Sequence, residues 1–447
     1  MSLFSAFGGV TWTVLAFIVA LSVIVAIHEY GHYIVGRWSG IHADVFSIGF
    51  GPVLYSRYDK RGTKWQIAAL PFGGYVKFAG DANAASGKDE AAMAEAATDP
   101  AALRRTMHGA PLWARAATVA AGPVFNFALS ILVFAAVGYA TGVTRDPLTV
   151  GTINPMPGAV QELQEGDVVR EINGIPVPSI EDAAYGALMN GGLPAMPVLD
   201  YTVERDGDTR VVQGPYLRPP MVGSVAPRSA AVSAGLQSGD VITAVNGDSV
   251  YAFGQLVVAV EGSNGSTLDL TIWRDGQTLE KSLTPKRVDE PQPEGGFATQ
   301  WRIGVTSQNA FDPATEAPGV GQAVYGGMVR TWTIITGTFS GLGHMVTGAI
   351  STCNLSGPIG IAQVSGTMAS QGFDSFIWFI AVLSTAVGLL NLFPIPALDG
   401  GHLVFYAYEA VTGRPPSDGA LRILMAAGLA MVLSLMVFAL WNDIFCP

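Results

Sequence analysis

Uncharged apolar runs alternate with polar blocks along the chain, and four of the runs reach the length of about 20 residues needed to cross a hydrocarbon core. They are Met1–Ile27 (densest from Val10), Ala116–Val143, Ser375–Leu398 and Ile423–Trp441. A fifth run, Thr331–Ile350, is uncharged but rich in Thr and Gly. It reads either as a marginal span or as an amphipathic helix resting near the surface. The stretch Gly49–Phe78 instead alternates apolar and polar positions around the turn residues Asp59-Lys60-Arg61-Gly62. That period of two predicts a β-hairpin or small sheet, and its aromatic residues suit the membrane interface. The Ala-rich segment Asp81–Pro100 reads as a peripheral helix or linker without chemistry.

Between the second and third runs lies a polar block that repeats itself. One copy is GTINPMPGAVQELQEGDVVREINGIPV from Gly151, the other GSVAPRSAAVSAGLQSGDVITAVNGDSV from Gly223. Gly166-Asp167 aligns with Gly239-Asp240, and Asn173-Gly174 with Asn246-Gly247. Asn-Gly between extended segments predicts a tight turn with positive φ, hence antiparallel structure. The two copies resemble tandem PDZ domains, which take an extended peptide as an added strand. Residues near Gly151–Ile153 and Gly223–Val225 are expected to border the grooves. The fold expected is a polytopic α-helical membrane protein with four transmembrane helices, a membrane-associated β-hairpin or sheet and two PDZ-like α+β domains. The expected boundaries are 1–36 for the first span, 45–80 for the β region, 81–112 for a linker and 113–143 for the second span. The PDZ-like domains take 146–220 and 221–290, with membrane-adjacent helices at 312–350 and the last two spans at 373–402 and 420–442.

Composition agrees with a membrane setting: 49% of residues are hydrophobic and 13% charged, about half the usual charged fraction. A net charge of −11 and the lack of any Lys/Arg stripe exclude a nucleic-acid partner. The first run has no basic segment before it and ends in the best chemical motif of the chain, so it is read as a span rather than a cleaved signal peptide. Ten Lys and Arg residues from Arg37 to Arg115 make the segment after the first span the cytoplasmic one. Both chain ends and the repeated block then face the other side. With two cysteines only, Cys353 and Cys446, no thiolate cluster is available. They are expected as separate thiols, a bond requiring that both face an oxidising compartment.

The sharpest chemical signal is His28-Glu29-Tyr30-Gly31-His32 at the end of the first span. On a helix, residues i and i+4 share a face, so both imidazoles can meet one Zn²⁺. Glu29 stands beside them to take a proton from water at the metal. Two histidines and a glutamate are costly on an apolar helix unless they act. Catalytic zinc usually takes a third protein ligand. Asp399 is the best candidate, at the end of the third span in the Pro-broken segment Asn391–His402, with His402 the weaker alternative. His42, His108 and His344 are read as surface or interface residues.

Four motifs in order, HEYGH at His28, PFGGYVK at Pro71–Lys77, AGPVFN at Ala121–Asn126 and NLFPIPALDGG from Asn391, resemble the site-2 protease family of intramembrane zinc metalloproteases, in its bacterial branch with tandem PDZ domains. The likeness covers nearly the whole chain. It implies that His28, His32 and Asp399 bind zinc, that Glu29 activates water, and that Asn391 and Pro396 lie near the unwound substrate. It also implies that the β region, with Gly73 and Gly74, engages the substrate as a strand. A second asparagine common in the family before this last motif is missing, the local sequence being LSTAVGLLN. The implied activity is cleavage of transmembrane segments in single-pass membrane proteins already cut by a site-1 protease, such as an anti-sigma factor, with remnant signal peptides as further substrates. The implied site of action is a bacterial inner membrane, with the PDZ-like domains periplasmic and the active site near the cytoplasmic face. The alternative from another class is a non-catalytic membrane PDZ adaptor with a structural zinc site.

Overall fold

The computed structural model describes residues 3–83, 87–158, 160–292 and 296–446. Contacts within the chain separate two compact units: one formed by residues 1–137, 321–343 and 352–447, the other by 138–320 and 344–351.

The first unit opens with helix α1, Leu3–Trp38. Ala16, Ala20, Ile24 and His28 are all buried, a stripe at intervals of four that turns one helix face inward and carries the first histidine with it. Strands β1 (Ala43–Tyr58) and β2 (Lys64–Phe78) follow. Residues 43–48 of β1 are flanked on one side by the end of β2, with Ile48 opposite Gly74 and Phe46 opposite Val76. On the other side they meet its start, with Phe46 opposite Trp65, while residues 53–58 pair only with the start. The inner part packs Phe46, Val76 and Phe78 with Tyr33 and Ala114 into a core. The outer part leaves Phe50, Val53, Leu54, Tyr55, Ile67 and Leu70 exposed, an apolar surface of the kind lipid covers. Short helices α2 (Glu90–Ala96) and α3 (Pro100–Arg104), each capped by an aspartate, lead to α4, Leu112–Thr141.

In the second unit the first β copy comprises β3 (Val143–Thr144), β4 (Val150–Ile153), β5 (Val168–Ile172), β6 (Ile175–Pro176), α5 (Ala183–Ala187), β7 (Leu199–Arg205) and β8 (Asp208–Gly214). The second comprises β9 (Met221–Val225), α6 (Ala230–Ala234), β10 (Val241–Val245), β11 (Asp248–Ser249), α7 (Phe253–Gly262), β12 (Leu268–Arg274) and β13 (Gln277–Leu283). After them come β14 (Lys286–Pro291), β15 (Phe297–Arg302), β16 (Val305–Gln308), β17 (Phe311–Pro313) and β18 (Thr315–Glu316). Both Asn-Gly pairs take positive φ, 48° and 71° at Asn173-Gly174 and 52° and 88° at Asn246-Gly247. Both Gly-Asp pairs turn the same way too: Asp167 is clamped by Arg205 at 2.6 and 2.7 Å, and Asp240 by Arg274 at 2.6 and 2.7 Å.

Connectivity in this unit departs from two copies in series. β16 pairs with β9 of the second copy, and β17, next along the chain, pairs with β4 of the first. Phe311 accordingly lies in the first copy's core. The second copy is therefore inserted into the first, and its sheet continues well past residue 290. Strand β9, with Gly223–Val225, is bonded on both sides, so it borders no open groove. The edge strand is β16, which faces α7 across a cavity lined by Leu256, Val260, Ile303 and Val305.

The chain returns to the first unit through α8 (Val320–Val346), α9 (Pro358–Ser370), α10 (Phe373–Asn391), α11 (Asp399–Thr412) and α12 (Asp418–Phe445). Among the described residues, four helices are long and apolar enough to cross a membrane: α1 from Gly9, α4, α10 and α12. The fifth apolar run begins in α8 and extends past its end at Val346, outside this set. The third run ends earlier than expected, because Pro394 and Pro396 cannot donate helical hydrogen bonds; α10 stops at Asn391 and a separate helix starts at Asp399. The cysteines, expected as thiols, are joined: Cys353 and Cys446 form a disulfide that ties the chain ahead of α9 to the end of α12. Asp443 strengthens the same junction by accepting from the N–H groups of Gly357 and Gly360 at 3.0 and 2.9 Å.

Candidate metal centre

Helix periodicity puts His28 and His32 on one face of α1, with ring centroids 4.7 Å apart and an interplanar angle of 84°. Asp399 reaches them from the first turn of α11. That turn sits directly on the proline-broken segment, since a Cβ on Gly400 would strike the Phe393 carbonyl and one on Gly401 the Ile395 carbonyl. The LDGG sequence thus lets the aspartate approach where a bulkier residue would hold the helix off. His28 Nε2 lies 3.2 Å and His32 Nε2 3.5 Å from Asp399 Oδ2, and the two Nε2 atoms are 3.1 Å apart. The side chains are 11%, 12% and 18% exposed, so water cannot separate them freely.

The donor set of this cluster fits a cation. His32 Nδ1 is 2.9 Å from the Thr118 carbonyl, which can only accept, so Nδ1 carries a proton and the neutral ring presents its Nε2 lone pair to the cluster. Asp399 Oδ2 is buried, without a hydrogen-bond partner, and also an acceptor. With both rings neutral and deprotonated at Nε2, three lone-pair atoms face one point, the donor set a divalent cation takes. Tetrahedral zinc with bonds of about 2.0–2.1 Å sets its ligand atoms roughly 3.3 Å apart, which matches the spacing here. Among the described residues this is the one group of three His, Cys, Asp or Glu side chains with ligand atoms close enough to share an ion.

Helix α4 forms the floor. A Cβ at Gly122 would strike the rings of both histidines, and Gly31 of α1 would meet the Ala121 carbonyl at 2.6 Å with any side chain at all. The two helices therefore cross at glycines, with the imidazoles lying over Gly122. Glu29 lies on the side of α1 facing β2, where its Cγ is 3.0 Å from the point a Cβ on Gly74 would occupy and the Val76 N–H faces its carboxylate. Gly73 lies under the Phe50 ring, which stacks on Tyr75 at 5.9 Å. No strand among the described residues pairs with the outer edge of residues 71–78. Asn391 closes α10 with its Nδ2 donating to the Val387 carbonyl at 3.0 Å, and Pro396 lies in the break against α12 at Gly428. His28, His32, Glu29, Asp399 and Gly74 are thus brought together, while Asn391 and Pro396 belong to the break that supports Asp399.

Peptidase family M50 matches residues 16–435 of this sequence. The chain belongs to that family. Relatives extend over nearly the full length: "Putative zinc metalloprotease Atu1380" of Agrobacterium fabrum is 37% identical across 99% of this chain and 98% of its own. "Protease RseP" of Yersinia pestis is 34% identical and "Regulator of sigma-E protease RseP" of Salmonella typhimurium 32%, each across 97% of this chain and 98% of its own. As an M50 peptidase it is a zinc metalloendopeptidase, which agrees with the expectation drawn from the four motifs.

Sequence reasoning singled out Gly122 and Asn126 within the Ala121–Asn126 motif without giving them a role, and it missed Thr118, whose i, i+4, i+8 spacing with them was the available signal. It also treated Asp81 and His108 as peripheral. Asp81 is buried, accepts from the Phe78 N–H at 3.1 Å and pairs with His108 Nε2 at 3.2 Å. Burial pushes its carboxyl above the usual range, with His108 opposing.

Proposed function

We propose that this metalloendopeptidase cleaves transmembrane segments of single-pass membrane proteins, with His28, His32 and Asp399 as zinc ligands and Glu29 as the general base. The observation that carries the reading is the convergence of three metal-ligand atoms on one point with Glu29 adjacent, at the ends of apolar helices. A bacterial inner-membrane setting is supported by the four spanning helices and the RseP relatives.

A peptide bond inside a helix is shielded by its own hydrogen bonds and by scarcity of water, so cleavage needs an unwound segment and a base. The edge of residues 71–78, with Gly73 and Gly74 offering unencumbered backbone, would take that segment as an added strand beside Glu29. When bound, zinc supplies a Lewis acid that polarises the scissile carbonyl and acidifies water. Glu29 accepts a proton from the attacking water and returns it to the leaving amine. Asn391 and Pro396 keep the broken end of α10 open next to Asp399. The nested β copies of the second unit, read as PDZ-like domains on the periplasmic side, would exclude substrates whose outer domain a site-1 protease has not removed. An anti-sigma factor trimmed in this way, and remnant signal peptides, are the substrate classes that follow from the RseP relatives.

The test uses purified full-length protein with a model transmembrane substrate. Glu29→Gln should lower cleavage by at least about 100-fold while retaining zinc, and Asp399→Ala should lose both. Zinc content unchanged in Asp399→Ala, or cleavage persisting in Glu29→Gln, would overturn the assignment.

A further inference from the structure

The two histidines differ in what orients them. His32 has a fixed acceptor on its Nδ1, the Thr118 carbonyl at 2.9 Å. His28 Nδ1 faces Asn126, two turns further along α4, whose Nδ2 is 3.2 Å away. Asn126 is fully buried, and its Oδ1 has no hydrogen-bond partner. Its backbone is pinned on both sides: Ser130 and Ser384 donate to its carbonyl at 3.0 and 2.9 Å. A Cβ on Gly388 of α10 would stand 3.1 Å from its Cβ. The residue has little freedom except rotation of its terminal amide.

That rotation matters because His28 Nε2 points at Asp399 and His32. Once Nε2 gives its lone pair to a metal, the neutral ring carries its proton on Nδ1 and needs an acceptor there. An amide NH₂ cannot serve, whereas the amide turned by 180° can: N and O exchange nearly isosterically, and the orphaned Oδ1 becomes the acceptor. We propose that Asn126 is the positioning residue of His28, presenting Oδ1 to Nδ1–H when zinc is bound. Thr118 and Asn126 then form a matched pair on one face of α4, each orienting one imidazole, with Gly122 between them leaving room for both rings. This rests on the assignment of His28, His32 and Asp399 as the zinc ligands.

The test measures zinc affinity of the full-length protein in detergent by competition with a chelator, in a Glu29→Gln background so that activity plays no part. Asn126→Leu, which fills the space without an acceptor, should weaken zinc binding 10- to 100-fold. Asn126→Asp, which still accepts from Nδ1–H, should bind within about threefold of the parent. Asn126→Ser, too short to reach the ring, should follow Asn126→Leu and carries the comparison if the leucine variant fails to fold. A parent with stoichiometric zinc and an unchanged affinity in Asn126→Ser overturns the role of Asn126 alone, as does Asn126→Asp binding as weakly as Asn126→Ser. A parent without zinc, or one whose affinity survives His28→Ala, overturns the ligand assignment and this proposal with it.

Discussion

Asp167 and Asp240 show what single residues contribute away from the metal. Each carboxylate has a fully buried side chain and is held by a two-pronged arginine, with a turn N–H as a further donor, Gln164 at 2.9 Å and Gln237 at 2.8 Å. Burial alone would favour the neutral acid at Asp167, but hydrogen bonds from Arg205 and Gln164 outweigh it and hold the carboxyl below its usual range. Its stabilisation is therefore complete above the unfolded value of about 3.9 and is lost as pH falls through the depressed folded value. Arg205→Ala leaves a buried charge unpaired and should destabilise the first β copy by about 3 kcal/mol. Hydrogen exchange over residues 150–214 should show lower protection in the variant near neutral pH, a difference from wild type that shrinks as acid neutralises the unpaired carboxyl. The Gly-Asp repeat was legible in the sequence. The arginine partners were not, because they lie 38 and 34 residues downstream with no fixed spacing to mark them. The candidate centre divides similarly: helix periodicity pairs His28 with His32, whereas nothing local in the sequence links Asn126 to either.

Among the elements, the crossing of α1 and α4 is the contact on which the centre depends. A methyl at Gly31 would meet the Ala121 carbonyl oxygen at 2.6 Å and the Phe125 ring at 2.9 Å, and backbone cannot give way as a side chain can. Gly31→Ala should cost about 1–3 kcal/mol and displace His32 enough to lower zinc occupancy. Gly138→Ala, at a site in α4 with open space around it, should leave both unchanged. Zinc content and thermal unfolding of the two variants decide this, and equal behaviour would show that the crossing tolerates a side chain. The four apolar helices and the break after Asn391 were readable, since length, hydropathy and proline act locally. The insertion of one β copy into the other was not: β16 and β17 are four and three residues long, and their partners lie about 80 and 160 residues earlier. Pairing at that distance is set by which edge is left open, and no local composition records it.

At the scale of the whole molecule, the disulfide bears on orientation. Such bonds persist in oxidising compartments, which agrees with the proposed orientation, in which the end of α12 and the segment before α9 lie on the non-cytoplasmic side. The Lys and Arg residues between α1 and α4 give the same orientation independently, from the charge of the opposite face. In Cys446→Ser, the freed Cys353 should react with a membrane-impermeant maleimide added to cells whose outer barrier alone is opened. Labelling only after the inner membrane is breached would reverse the orientation and move the proposed periplasmic domains to the cytoplasm. Two cysteines could not announce this bond from sequence, because nothing fixed their distance until both helices were in place.

The same bond joins positions 93 residues apart and so closes a covalent ring. Asp399 lies inside that ring and both histidines outside it, so the centre is assembled where a macrocycle docks on a linear segment. One backbone cut anywhere between Cys353 and Cys446 leaves the pieces chained together, and the carboxylate stays tethered within reach of its partners even though the polypeptide is no longer continuous.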